Sequence, residues 1–335
     1  MIFGRVPLIQ AQGGILAHNL KTASRVLAKG GLVDDTAYHL LEEAGYTEIT
    51  IARLEPGDVP EGEAATQLAQ ALLNTHLHRS HDVHGRANLF AEATGLLRLD
   101  TGKIERLNLL DESITLATLP DRSTVAPGGM IATLKIIPFA VPAAIMARAR
   151  ALIAEGPPVF TLKPFRPLTT GLVLTELPHL KNAALLHTIA ATEARVKTRG
   201  GTLLPPLRTP HEVAPLAAAL QSLLADQAGL ILISGASAVT DRHDIAPSAI
   251  VAAGGSITHF GMPVDPGNLI CFGQLAGRHA VILPGCARSP RPNGFDWVLD
   301  SIFAGEEIGP REIARMGVGG LLTEIEAFPA LPAHS

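Results

Sequence analysis

Between residues 169 and 285, short apolar runs alternate with longer amphipathic ones, and most runs stop at glycine. "TTGLVLTEL" (169–177) has the length and β-branched content of a buried strand. "KNAALLHTIAATEARVKTRGG" (181–201) repeats apolar residues every three or four positions, ends in basic residues and stops at Gly200-Gly201, which predicts a helix. "TLLPPL" (202–207) predicts a second strand. "TPHEVAPLAAALQSLLADQ" (209–227) predicts a helix with Thr209 as N-cap and Pro210 at its first position. "GLILIS" (229–234) and "HAVILPG" (279–285) supply two further strands. Strands that alternate with helices predict an α/β fold with a doubly wound, mostly parallel sheet. Ligands of such sheets sit beyond the carboxyl ends of the strands, where Gly235 and Gly285 fall.

The first half has another texture. It predicts a helix at 35–44 capped by Asp34 or Asp35, a strand at 48–54, a further helix after a proline-rich turn, and short strands around the helix "GKIERLNLLDE" (102–112). This is a smaller α+β region. The proline-rich "AEGPPVFTLKPFRP" (154–167) is the boundary candidate. The expected division is 1–155, α+β; 165–310, α/β; and 311–335, a tail. With 335 residues and 47% hydrophobic content, the chain can fill two cores.

Charge and composition exclude several classes. The net charge is −4 and no basic stripe with interleaved aromatics is present, so nucleic acid is not an expected partner. Cys271 and Cys286 are the two cysteines, too few for a disulfide framework. The opening "MIFGRVPLIQAQGG" lacks the charged start and apolar core of a signal peptide, and no apolar run reaches the roughly 18 residues of a membrane span. The expectation is a cytoplasmic protein with no membrane partner.

Chemistry-bearing residues gather after the predicted strands. In "ISGASAVTDRHDIAPSAI" (233–250), Gly235, Ala236 and Ser237 allow close approach to backbone amides, and Asp241 and Asp244 precede a short helix. The two aspartates suit Mg²⁺ that bridges phosphate, or hydrogen bonds from a heterocycle; they equally suit helix capping. "GMPVDPGNLICFG" (261–273) and "LPGCARSPRPNGFDW" (283–297) carry Pro-Gly turns beside neutral hydrogen-bonding groups. Arg288 and Arg291 offer phosphate pairing there. Cys286 is read as a small turn residue, because no base is placed beside it for a thiol nucleophile. "HLHRSHDVH" holds His76, His78, His81, Asp82 and His84, but no regular element aligns the four histidines, so a solvated loop or helix end is expected. Arg86 and Asn88 precede a stretch with helical character.

Taken in order, four segments resemble the molybdopterin-binding domain of molybdenum cofactor biosynthesis proteins, over residues 168–305. "LVLTEL" is similar to that family's strand ending in Gly-Asp-Glu-Leu, with Glu176 and Leu177 retained. "ISGASAVTDRHD" is similar to its Thr-Gly-Gly-x-Ser-x-Gly turn and following Asp. "GMPVDPGN" is similar to its Met-x-Pro-Gly-Lys-Pro segment, and "VILPGCARS" to its Leu-Pro-Gly-Asn-Pro-x-Ser segment. "LAKGGLVDDTAYHLLEEAGYTEITIARLEPGD" resembles the unit that precedes this domain in the molybdotransferases of the MoeA and gephyrin type; the C-terminal motifs also resemble the adenylyltransferases of the MogA type. Departures are Ala236 for the second glycine, Asn268 for the lysine and Cys286 for the asparagine.

The resemblance implies a molybdopterin or molybdopterin-nucleotide ligand. Asp244 and Asp241 would be the catalytic and Mg²⁺-binding residues. Glu176, Gly235, Ala236, Ser237, Pro266, Gly267, Asn268, Pro284, Gly285, Cys286 and Ser289 would contact the ligand. It implies either a molybdotransferase that inserts molybdate with hydrolysis of the adenylylated pterin, or a carrier without turnover. A nucleotide pyrophosphatase on the same domain type is a further reading. A homo-oligomer and a recipient molybdoenzyme or nucleotidyltransferase are the implied partners.

Overall fold

The computed structural model describes residues 1–81, 83–178 and 182–322. The protein is mixed α/β and divides into two compact units, residues 1–93 with 97–162, and 94–96 with the segment from 163 onward. Among the described residues, no helix is long and apolar enough to cross a membrane.

The first unit is built on antiparallel pairing. Strands Ile114–Thr118, Met130–Ile136, Arg86–Ala91 and Leu77–Arg79 lie side by side in that order. Helices Glu61–Leu72 and Ala143–Ala154 supply Ala65, Leu68 and Ala149 to the core this sheet shares. A smaller sheet orders Ile2–Pro7, Glu48–Arg53 and Ile15–Leu16 beside helix Asp35–Glu43, whose N-cap is Asp34: its carboxylate accepts from Ala37 N at 2.7 Å.

Two expectations in this unit are corrected. The stretch with Arg86 and Asn88 is a strand, because Ala87, Leu89 and Ala91 alternate inward with period two. The histidine-rich segment contains strand Leu77–Arg79 rather than only a loop; His78 stacks on Phe90 across the ladder, with ring centroids 5.4 Å apart. His76 and His84 take left-handed turn conformations (φ 67° and 49°), and Asp82 lies outside the described residues. Among the described residues, no group of three or more His, Cys, Asp or Glu could hold a metal ion.

The second unit carries a seven-stranded sheet. In chain order its elements are β1 (Thr169–Glu176), α1 (Asn182–Thr198), β2 (Thr202–Leu203), β3 (Leu207–Pro210), α2 (Val213–Ala225), β4 (Leu230–Ser234), α3 (Ile245–Ala252), β5 (Ser256–Phe260), β6 (Cys271–Leu275), β7 (Arg278–Ile282) and α4 (Gly294–Phe303). The sheet runs β2-β1-β4-β7-β6-β5, with β3 also paired to β1. β2, β3 and β4 are parallel to β1, and β7 is parallel to β4; β6 and β5 add on antiparallel. The sheet is therefore mixed, not parallel throughout.

Both faces are covered, which is why β4 reads as an uninterrupted apolar run. Leu172, Leu174, Leu230 and Leu232 pack with Val196 of α1 and with Phe295, Leu299 and Phe303 of α4. Val173, Ile231 and Ile233 pack with Leu216, Leu220 and Leu223 of α2 and with Ala249 and Ile250 of α3. The predicted strand at 202–207 is two short pieces, because Pro205 and Pro206 have no N–H for a ladder. Thr209 and Pro210 are not the start of α2. They extend β3, opposite Thr175 and Glu176, and Glu212 is the N-cap residue.

His279 on β7 yields a pH prediction. Burial lowers its pKa, and Gln274 Nε2 lies 3.1 Å from its Nδ1, which suits a neutral ring. The unfolded chain takes up this proton first, at about pH 6.5. The stability contributed by the neutral ring is thus complete above that pH and is lost as pH falls below it. His279→Gln should flatten the fall in urea midpoint between pH 8 and pH 5; an unchanged slope would exclude His279 as the source.

Candidate functional site

The parallel strands β1, β3, β4 and β7 end on one edge of the sheet, at Glu176, Pro210, Ser234 and Ile282. β6 runs against β7 with Cys271 opposite Ile282, so the segment before β6 reaches the same edge. The four segments singled out in the sequence therefore share one edge of one sheet, the usual ligand edge of α/β sheets.

Specific bonds tie these segments together. Ala236 N donates to Thr175 Oγ1 at 2.8 Å, joining the turn after β4 to the end of β1. Arg288 Nη2 donates to Gly235 O at 2.9 Å, joining the same turn to the segment after β7. Gly294 N donates to Pro266 O at 2.8 Å, so the start of α4 holds the segment before β6. Gly285 opens a short 3-10 turn, and a side chain at that position would meet nothing within 4 Å, which leaves its backbone open to approach. Ser289 N closes the turn on Cys286 O at 3.0 Å, and Ser289 Oγ accepts from Arg291 N at 3.3 Å. Asn268 O accepts from Met262 N at 3.1 Å.

The two aspartates lie in the turn that enters α3. Asp244 is its N-cap: Oδ1 accepts from Ile245 N at 2.7 Å and Oδ2 from Thr240 N at 3.3 Å. Asp241 is exposed, and its Oδ1 accepts from His243 N at 2.7 Å, with His243 Nδ1 at 2.9 Å. That backbone bond, with the ring bond after it, holds the Asp241 carboxyl below its ordinary range. Burial pushes the Cys286 thiol up, which keeps it protonated and argues against a thiolate nucleophile. Ser237 Oγ donates to Ala238 O at 3.3 Å.

Several residues that organise this edge carry no motif. Arg195 of α1 is 6% exposed and donates to Asp296 Oδ1 (2.9 Å), Ala287 O (2.9 Å), Ser289 O (2.7 Å) and Arg291 O (3.0 Å). It clamps the turn that holds Cys286 and Ser289. Helical spacing held a signal for it: Leu185, Thr188, Thr192 and Arg195 recur on the buried stripe of α1. At the ends of β1 and β3, Glu176 pairs with Arg208, whose other arm donates to Asn182 Oδ1 at 3.0 Å. His211 follows β3, with its Nδ1 2.8 Å from Thr175 Oγ1. Glu176, Leu177, Pro178, Arg208, Pro210, His211 and Glu212 line an open cleft of about 730 Å³ there, a volume within the range of small-molecule sites.

The arrangement offers backbone amides, an oriented arginine and neutral donors at strand ends, the chemistry of a phosphate-bearing ligand. No family model and no curated protein matches the chain. Among solved structures it is similar to the molybdopterin biosynthesis MoeA protein from Pyrococcus horikosii, at 12% identity over 85% of this chain and 70% of that one, with a TM-score of 0.26. It is also similar to NadC from Streptococcus pyogenes, at 14% identity over 56% of this chain and 70% of that one, with a TM-score of 0.17.

Proposed function

We propose that this chain binds molybdopterin or its nucleotide in molybdenum cofactor biosynthesis, at the carboxyl edge of the seven-stranded sheet, which we read as the doubly wound sheet of a molybdopterin-binding domain. One observation carries the reading: four segments that resemble that domain, scattered from 172 to 289, converge on one sheet edge, three of them bonded to one another and the one before β6 held by the start of α4. In this reading the turns at Gly235 and Gly285 hold phosphate through backbone N–H groups, and Asn268 and Ser289 contact the pterin.

Mg²⁺ keeps much of its water and needs one or two carboxylates beside a phosphate. Asp241 uses only Oδ1 in local bonds among the described residues, so its second oxygen suits a cation that arrives with the ligand. Asp244 has both oxygens engaged by backbone N–H groups. That favours the second reading, a carrier without turnover.

Purified protein, oxidised and examined for pterin fluorescence, tests the binding; absence of pterin and failure to bind added molybdopterin would refute it. Asp244→Ala should weaken pterin binding while lowering stability by about 1 kcal/mol, the cost of a lost cap; equal affinity in the variant removes Asp244 from the site. Incubation with adenylylated molybdopterin, Mg²⁺ and molybdate separates the two readings. AMP release identifies a molybdotransferase, and binding without AMP release identifies a carrier. Hydrolysis of an unrelated dinucleotide without pterin binding would replace both with a pyrophosphatase.

A further inference from the structure

The proton between Thr175 and His211 follows from the bonds around them. Thr175 is fully buried, and its Oγ1 accepts from Ala236 N at 2.8 Å. Its own hydrogen needs an acceptor, and among the described residues only His211 Nδ1, at 2.8 Å, is within reach. The hydroxyl therefore donates to Nδ1, and the ring carries its proton on Nε2. Were Nδ1 protonated instead, the Thr175 hydrogen would be buried without a partner.

We infer that Thr175 is a positioning residue that locks His211 as the neutral Nε2–H tautomer, so that the cleft at the end of β3 selects a phosphate or carbonyl oxygen rather than a cation. A protonated Nε2 has no lone pair for a metal, and the Nδ1 lone pair is already used. Arg208, in the same lining, adds a second donor group and pairs with Glu176, while Glu212 is a carboxylate of the lining without an ion pair among the described residues, so an oxygen ligand is held on the His211 and Arg208 side. The same hydroxyl holds the Ala236 amide, so one side chain sets the donor geometry at the ends of β1, β3 and β4 together. The inference rests on the proposed ligand edge, but it requires an oxygen acceptor and not a pterin.

Two measurements test it on the full chain. Long-range ¹H–¹⁵N NMR of the His211 ring should show a proton on Nε2 alone. In Thr175→Val both tautomers should appear, and Thr175→Ser should restore one. A wild-type proton on Nδ1, or an unchanged ring in a folded Thr175→Val, overturns the positioning role. Inorganic pyrophosphate should then shift the His211 Nε2–H signal. Its affinity should fall about tenfold in His211→Leu and recover in His211→Gln, which keeps a donor. Equal pyrophosphate binding by the leucine variant, no binding by wild type, or loss of the Nε2 proton with Zn²⁺ alone overturns the ligand class. Pyrophosphate binding with these signatures in a protein that takes no pterin would refute the pterin reading and leave this one standing.

Discussion

Arg195→Ala is expected to lower unfolding stability by about 3–5 kcal/mol, the scale for removing one partner of a buried ion pair. The variant leaves Asp296 without its strongest partner and strips donors from the carbonyls of Ala287, Ser289 and Arg291. Arg199 does not replace it, because its Nε is already 2.7 Å from Asp300 and its Nη2 is 3.5 Å from Asp296. Arg195→Lys retains the charge but not the planar fork that reaches several acceptors at once, so it should rescue only part of the loss. Guanidinium denaturation measures the effect, and ligand affinity should fall with it, because the 284–291 turn is what Arg195 holds. The contrast is Arg208→Ala. Its ion pair with Glu176 is 45% and 34% exposed, and such pairs contribute about 0–1 kcal/mol. A loss below about 1 kcal/mol for Arg195→Ala would show that the turn holds itself.

Gly267→Val is expected to cost about 2–4 kcal/mol, combining a backbone conformation open almost only to glycine with overpacking. Gly267 has φ 142°, and a side chain there would come within 2.7 Å of Gly294 N and 2.8 Å of its Cα. The obstacle is backbone at the start of α4, which cannot rotate away. The segment before β6 would have to leave the sheet edge, and its Gly294 N to Pro266 O bond would break. Thermal unfolding and ligand affinity should both fall. Gly277→Ala is the control: its φ is also positive, but nothing lies within 4 Å of the added carbon. Equal effects of the two substitutions would mean that strain alone, not the close approach to α4, accounts for Gly267.

Local pattern made much of the second unit legible. The buried runs at 169–177 and 229–234 are strands, and the amphipathic run ending at Gly200 is a helix. Length, glycine stops and a period of 3.6 carried that information without help from the rest of the chain. The misreadings have physical causes. Thr209-Pro210 has the composition of a helix start, but pairing with Thr175 and Glu176 drew it into β3. Arg86–Ala91 is a strand because the alternate apolar residues Ala87, Leu89 and Ala91 fill a core made with distant helices. Helix Ala143–Ala154 is not legible in the sequence: four of its residues are buried, yet alanine and arginine dominate it and blur the apolar stripe.

The sequence by itself determined the alternation of elements, their turn-forming exits and the residue types gathered at those exits. These are local properties, set by propensity, periodicity and glycine or proline backbone limits. The tertiary structure alone decided that the exits share one edge and that a buried Arg195 and a buried Thr175 hold the turns in place. Those facts depend on which carbonyls and amides lie within about 3 Å of a side chain after folding. Residues 101 positions apart, such as Arg195 and Asp296, meet only when the sheet and its helices are assembled.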